Sequence, residues 1–123
     1  MLQALWSLEI LTADGPVAIG VLIFHLRRVF GSYFQTGRLF GGDSEYYYAG
    51  RYEIENMVLS ARMEVFLYGN ASHAVFGSGN HFRIDFGGRL DGNVVRDVIT
   101  FAARRSDDDI AFEIRLTKRE PLE

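Results

Sequence analysis

The sequence predicts an all-β chain that closes as an eight-stranded antiparallel up-and-down β-barrel. Three observations predict it. Thirteen glycines and only two prolines punctuate short runs rich in Val, Ile, Phe and Tyr. Several of those runs alternate apolar with charged residues at the period of two that belongs to a strand. No segment is long and amphipathic enough to be a covering helix. A sequential sheet with one greasy face buries it by rolling up or by docking a helix, so closure is the preferred solution, ahead of a partly open barrel or a dimeric sandwich.

Each element has its own reason. A first strand over residues 4–12 sets Trp6, Leu8 and Ile10 against Ser7 and Glu9, and Asp14-Gly15 suits the tight hairpin after it because glycine accepts positive φ. A second strand follows over 16–26. A third, over 38–41, leads into Gly41-Gly42-Asp43-Ser44, where two glycines make a bend and the Asp43 and Ser44 side chains bond nearby backbone N–H groups. The fourth, 46–54, opens on Tyr46-Tyr47-Tyr48. Tyr48, Gly50 and Tyr52 share a face, and Gly50 leaves space for a packed ring or a bend of the sheet. Glu55-Asn56 makes the next turn. The fifth strand, 57–68, alternates Met57, Leu59, Ala61, Met63, Val65 and Leu67 against Ser60, Arg62 and Glu64. The sixth, 81–90, sets Phe82, Ile84 and Phe86 against Arg83 and Asp85. Asp91-Gly92 then turns the chain into a seventh strand over 93–105, and the polar Ser106 to Asp109 into an eighth over 109–119, with Ile110, Phe112, Ile114 and Leu116 on one face. Residues 1–121 make a single domain.

Composition narrows the function. The 123 residues, 48% of them hydrophobic, suffice for one core and not two. A net charge of −3 argues against direct nucleic-acid contact, whose phosphates need a basic field. With no cysteine there is no disulfide framework, thiolate metal site or cysteine nucleophile. The longest apolar run, Val17 to Phe24, has about eight residues where a spanning helix needs about twenty, so no membrane contact is expected. The start of the chain carries no basic residue or cleavage site of a secretory leader, and a cytoplasmic protein is expected. His25, His73 and His81 are too scattered to be ligands on one element, and Asp107-Asp108-Asp109 lacks the spacing of a calcium loop. The run Gly41 to Ser44 lacks the context of a diguanylate cyclase or of a Gly-Asp-Ser hydrolase. No catalytic residue, metal or cofactor is expected, and the chain reads as non-enzymatic.

Two surfaces are candidates for binding. The segment His25 to Thr36 reads as an insertion between the second and third strands, with Arg28-Val29-Phe30-Gly31 echoed by Arg38-Leu39-Phe40-Gly41. Val29, Phe30, Tyr33 and Phe34 are unusually apolar for a loop; they either pack over one mouth of the barrel or form a contact surface for a protein partner. The alternative is a carrier of a small apolar ligand, held in an interior lined by Trp6, Tyr48, Tyr52, Met63 and Phe82, with Met57 and Phe112. An eight-stranded barrel sits between a filled core and room for one small ligand, and the bulk of these side chains favours the filled core.

The residues Leu5 to Glu9, Gly20 to Phe24, Gly37 to Gly42, Asp43-Ser44 with Tyr46, Tyr47, Tyr48 and Gly50, Arg51 to Glu53, and Ile114 to Arg119 resemble, in this order over nearly the whole chain, the GrlR-like family. That family is named for a negative regulator of type III secretion in enteric pathogens. The resemblance implies a small lipocalin-like β-barrel able to form a homodimer. It also implies a regulator that acts by holding a protein partner, a transcriptional activator, away from DNA. Two features depart from the family's pattern: the insertion His25 to Thr36, and Ile54-Glu55-Asn56-Met57 where the regulator carries an acidic run.

Overall fold

A computed structural model describes residues 2–31, 33–68, 80–90, 97–106 and 110–121. Eight strands follow one another there: β1 (Ala4–Thr12), β2 (Gly15–Phe30), β3 (Phe34–Gly42), β4 (Tyr46–Glu55), β5 (Val58–Leu67), β6 (His81–Arg89), β7 (Val98–Arg105) and β8 (Ile110–Pro121). Each pairs antiparallel with the next, and β8 returns to β1, with Leu8 opposite Leu116 and Ile10 opposite Ile114. The result is the closed up-and-down barrel that alternation predicts. Among the described residues there is no helix long and apolar enough to cross a membrane.

The alternation decides the inside. Ala4, Trp6, Leu8 and Ile10 of β1 are buried and the residues between them are not. Leu59, Ala61, Met63 and Val65 of β5 and Ile99, Phe101 and Ala103 of β7 repeat the pattern. Each large apolar side chain so enclosed contributes about 1.5–3 kcal/mol relative to exposure.

The strands meet over unequal lengths. Neighbours elsewhere are in register over eight to ten residue pairs, whereas β6 and β7 are joined over four, from Ile84 opposite Arg105 to Gly87 opposite Ala102, among the described residues.

Three expectations need correction. The stretch read as an insertion, His25 to Thr36, is strand for most of its length: β2 runs on to Phe30 and β3 starts at Phe34, with Val29 opposite Gln35 and Phe30 opposite Phe34. The register shifts between Leu26 and Arg28, which leaves Arg27 as the extra residue of a β-bulge. The bulge turns Arg28 to the outer face beside Thr36, and this break in alternation is what made the segment read as a loop. The β4–β5 turn lies one residue later than Glu55-Asn56. Asn56 and Met57 both take positive φ, 52° and 67°, and Glu55 pairs with Val58. Met57 is therefore an exposed turn residue, outside the interior where alternation had placed it. The seventh strand starts at Val98; residues 93–96, the Asp91-Gly92 turn, His73 and Asp107 to Asp109 lie outside the described residues.

Candidate functional site

Three places hold the residues singled out from sequence: the β3–β4 bend, the barrel interior and one rim.

At the bend, Asp43 is a hub. Its Oδ1 accepts hydrogen bonds from the backbone N–H groups of Glu45 at 2.7 Å and Tyr46 at 2.8 Å. Its Oδ2 accepts one from the Tyr48 hydroxyl at 2.5 Å. The Asp43 N–H donates to Tyr46 O at 2.9 Å, and the Tyr68 hydroxyl donates to Asp43 O. A short acidic side chain after two glycines can fold back onto its own turn in this way. The burial of Tyr48, and then the bond to Asp43 and its negative charge, push that phenol well above the usual tyrosine range. Gly41, Gly42, Asp43, Ser44, Tyr46, Tyr47, Tyr48 and Gly50 are thus brought together as one corner of the barrel. Tyr46 and Tyr48 point in. Tyr47 points out and stacks on Phe66 at 4.9 Å, which stacks on His81 at 4.3 Å. Ser44 is exposed.

In the interior, Trp6, Tyr48, Tyr52, Met63 and Phe82 are all buried. Rings meet edge to face from Trp6 to Phe24 at 6.4 Å, from Phe24 to Tyr52 at 5.2 Å and from Phe24 to Phe86 at 6.4 Å, an arrangement suited to the quadrupoles of aromatic rings. Tyr46 meets Phe82 in the same manner at 5.9 Å, and Phe112 is half-buried against this core. The Trp6 Nε1–H donates to Leu2 O at 2.8 Å, so the buried indole is satisfied. Burial pushes the Tyr52 phenol up to about 12.

At the rim where the β2–β3 and β4–β5 turns come together, Val29, Phe30 and Tyr33 stand 56%, 49% and 71% exposed. Phe34 is half-buried, its ring 5.5 Å from that of Phe30. Met57 and Val58, which sequence had not singled out for a surface, are exposed beside them. The two turns are tied by the Asn56 N–H, which donates to Tyr33 O at 3.0 Å, and the Leu90 N–H secures Met57 O at 2.7 Å. The greasy rim is therefore held in place by backbone bonds. Met57 adds a second signal. A side chain at positive φ costs roughly 1 kcal/mol, and the second position of such a turn ordinarily goes to glycine. Its visible sign in sequence was Asn56 followed by Met57 where Asn-Gly would serve the hairpin better.

Of the two described histidines, His81 contacts the Glu64 carboxylate at 2.7 Å and His25 is exposed on β2. Among the described residues no three His, Asp or Glu side chains are grouped to hold a metal ion. Comparison with protein-family models, with curated proteins and with solved structures finds no match to this chain.

Proposed function

We propose that this barrel is a non-enzymatic protein-binding module, a regulator similar to those of the GrlR-like family, which captures a partner protein on the rim formed by Val29, Phe30, Tyr33, Phe34, Met57 and Val58. The observation that carries the proposal is the exposed apolar rim itself, contributed by two hairpins and pinned by hydrogen bonds. Contiguous apolar surface of this kind marks an interaction site more often than it is left idle. A strained Met57 that exposes a long apolar side chain adds support, because backbone strain concentrates where function requires it. The interlocked rings of the interior favour a surface role over the carrying of an apolar ligand.

The test places a photo-crosslinking residue at position 30 and, as a control, at exposed position 119 on β8. The expected result is a protein adduct, with a second copy of the chain or another protein, from position 30 alone. A Tyr33→Ser substitution in the same chain should abolish it. Equal labelling from both positions, or none from either in a chain that sediments as a monomer, would overturn the proposal.

A further inference from the structure

The outer wall beneath that rim carries a line of arginines that the strand register assembles. Arg38 stands opposite Arg51, Arg51 opposite Arg62, Arg62 opposite Asp85, and Asp85 opposite Arg104, across five neighbouring strands from β3 to β7. These four arginines are exposed, Arg62 by 61% of its side chain. Arg28, turned outward by the bulge in β2, begins the next row beside Thr36. At about 4.8 Å per strand the line runs roughly 19 Å around the barrel. With Glu53 and the small residues Ser60, Gly87, Ala102 and Ala111, it lines an open depression of about 1280 Å³.

Like charges directly opposite each other on neighbouring strands destabilise a sheet. Here three arginines stand in sequence with no acid between them, and Asp85 is the one carboxylate in the row. Asp85 is shared: its Oδ1 lies 3.6 Å from Arg62 Nε and 3.2 Å from Arg83 Nε. Neither contact has hydrogen-bond geometry at that oxygen, while Arg83 Nη2 donates to Asp85 Oδ2 at 3.4 Å. Arg38 is held in place rather than neutralised, donating from Nε to Gly50 O at 3.1 Å, its guanidinium 5.3 Å from the centre of the Phe40 ring. A chain with a net charge of −3 thus sets four arginines against a single carboxylate in one row of its outer wall.

We infer that this arginine wall is a docking site for an acidic segment of a partner polypeptide. The inference rests on the protein-binding function proposed above and names the chemistry of the partner. Guanidinium forks suit carboxylates, which they can hold through paired hydrogen bonds. Three observations favour an acidic peptide over a nucleic acid. The −3 net charge opposes a long polyanion that extends beyond the wall, since charge is felt over about 8–10 Å, whereas a short acidic segment stays on it. The apolar rim also lies on the same outer face, four residues along the strands through Phe34, Glu55 and Val58, or roughly 14 Å away. One extended segment with acids followed by an apolar side chain can reach both. The nearest outer ring, Phe40, is already engaged by Arg38, which leaves it a poor platform for a base.

The experiment uses the intact chain and three labelled probes followed by fluorescence anisotropy: a peptide of about a dozen residues, half Glu with two Leu near one end, the same peptide with Gln for Glu, and an oligothymidylate of similar length. The Glu peptide should bind most tightly and weaken as salt is added. The double variant R51E, R62E should weaken it by at least about tenfold, two exposed charge contacts being reversed. If charge reversal disturbs the fold, the variant R51Q, R62Q removes the charges with less disruption and should weaken binding in the same direction. Unchanged affinity in a folded variant, no binding of the Glu peptide, or tighter binding of the oligothymidylate would each overturn the inference. Crosslinking from position 30 reads the rim separately. Adducts there without peptide binding remove the arginine site and spare the protein-binding function, while peptide binding without adducts supports the arginine site and removes the rim.

Discussion

Asp43 shows how much one short side chain can organise. Replacing it by Ala removes the acceptor for two backbone N–H groups and a buried phenol. The expected loss is about 2–4 kcal/mol, read from urea unfolding, since each orphaned donor costs on the order of 1–3 kcal/mol and part of that is recovered by water. Sequence disclosed half of this hub. Two glycines and an Asp announce a bend with local side-chain bonds, but the Tyr48 partner depends on the tyrosine pointing inward past the turn. A second residue-scale prediction concerns alkaline pH. Tyr52 keeps its proton to about 12 in the folded chain against an ordinary 10.0. The unfolded chain gives that proton up first, so the stability tied to Tyr52 is whole below pH 10 and is lost as pH climbs from 10 toward 12. Unfolding midpoints measured across that range should fall less steeply for Tyr52→Phe, with only a small change at neutral pH.

Strands and hairpins were legible where alternation was unbroken. β1, β4, β5, β6 and β8 fall within two residues of their expected limits, because a period of two over six or more residues leaves few other folds. The end of β2 and the start of β3 were hidden by the bulged Arg27, which puts two arginines in succession where an apolar residue was due. Gly50 was noticed for the wrong neighbour. A Cβ there would collide with Arg62 O and crowd the Met63 Cα on β5, so glycine serves the close approach of two backbones. Gly50→Ala should therefore lower stability by about 2 kcal/mol or more, measured by thermal unfolding, as the strands must part to admit a methyl group. The β4–β5 hairpin yields the opposite expectation. Met57→Gly relieves the positive φ and should raise stability by up to about 1 kcal/mol while weakening crosslinking from the rim. A rise in stability with capture unchanged would show that Met57 plays no part in capture.

At the scale of the molecule, the barrel was readable because the sequence offers strands with one apolar face and no segment that reads as a long amphipathic helix to cover them. The rim was half readable: Val29, Phe30, Tyr33 and Phe34 announce themselves, whereas Met57 and Val58 join them only when two turns meet in space. The arginine wall was not readable, since successive residues of its row, Arg38, Arg51, Arg62, Asp85 and Arg104, lie eleven to twenty-three positions apart and become neighbours only once the register is known. The four-pair junction of β6 and β7 has a consequence of its own. A cylinder stitched, among the described residues, by eight or more rungs at seven seams and four at the eighth is expected to part first at the eighth. Amides of Ala102 to Arg105 should trade hydrogen for deuterium sooner than those of β4 under native conditions. Arg104 sits on that hinge line, so an acidic guest spanning Arg62 to Arg104 would act as a clasp, slowing the exchange it straddles.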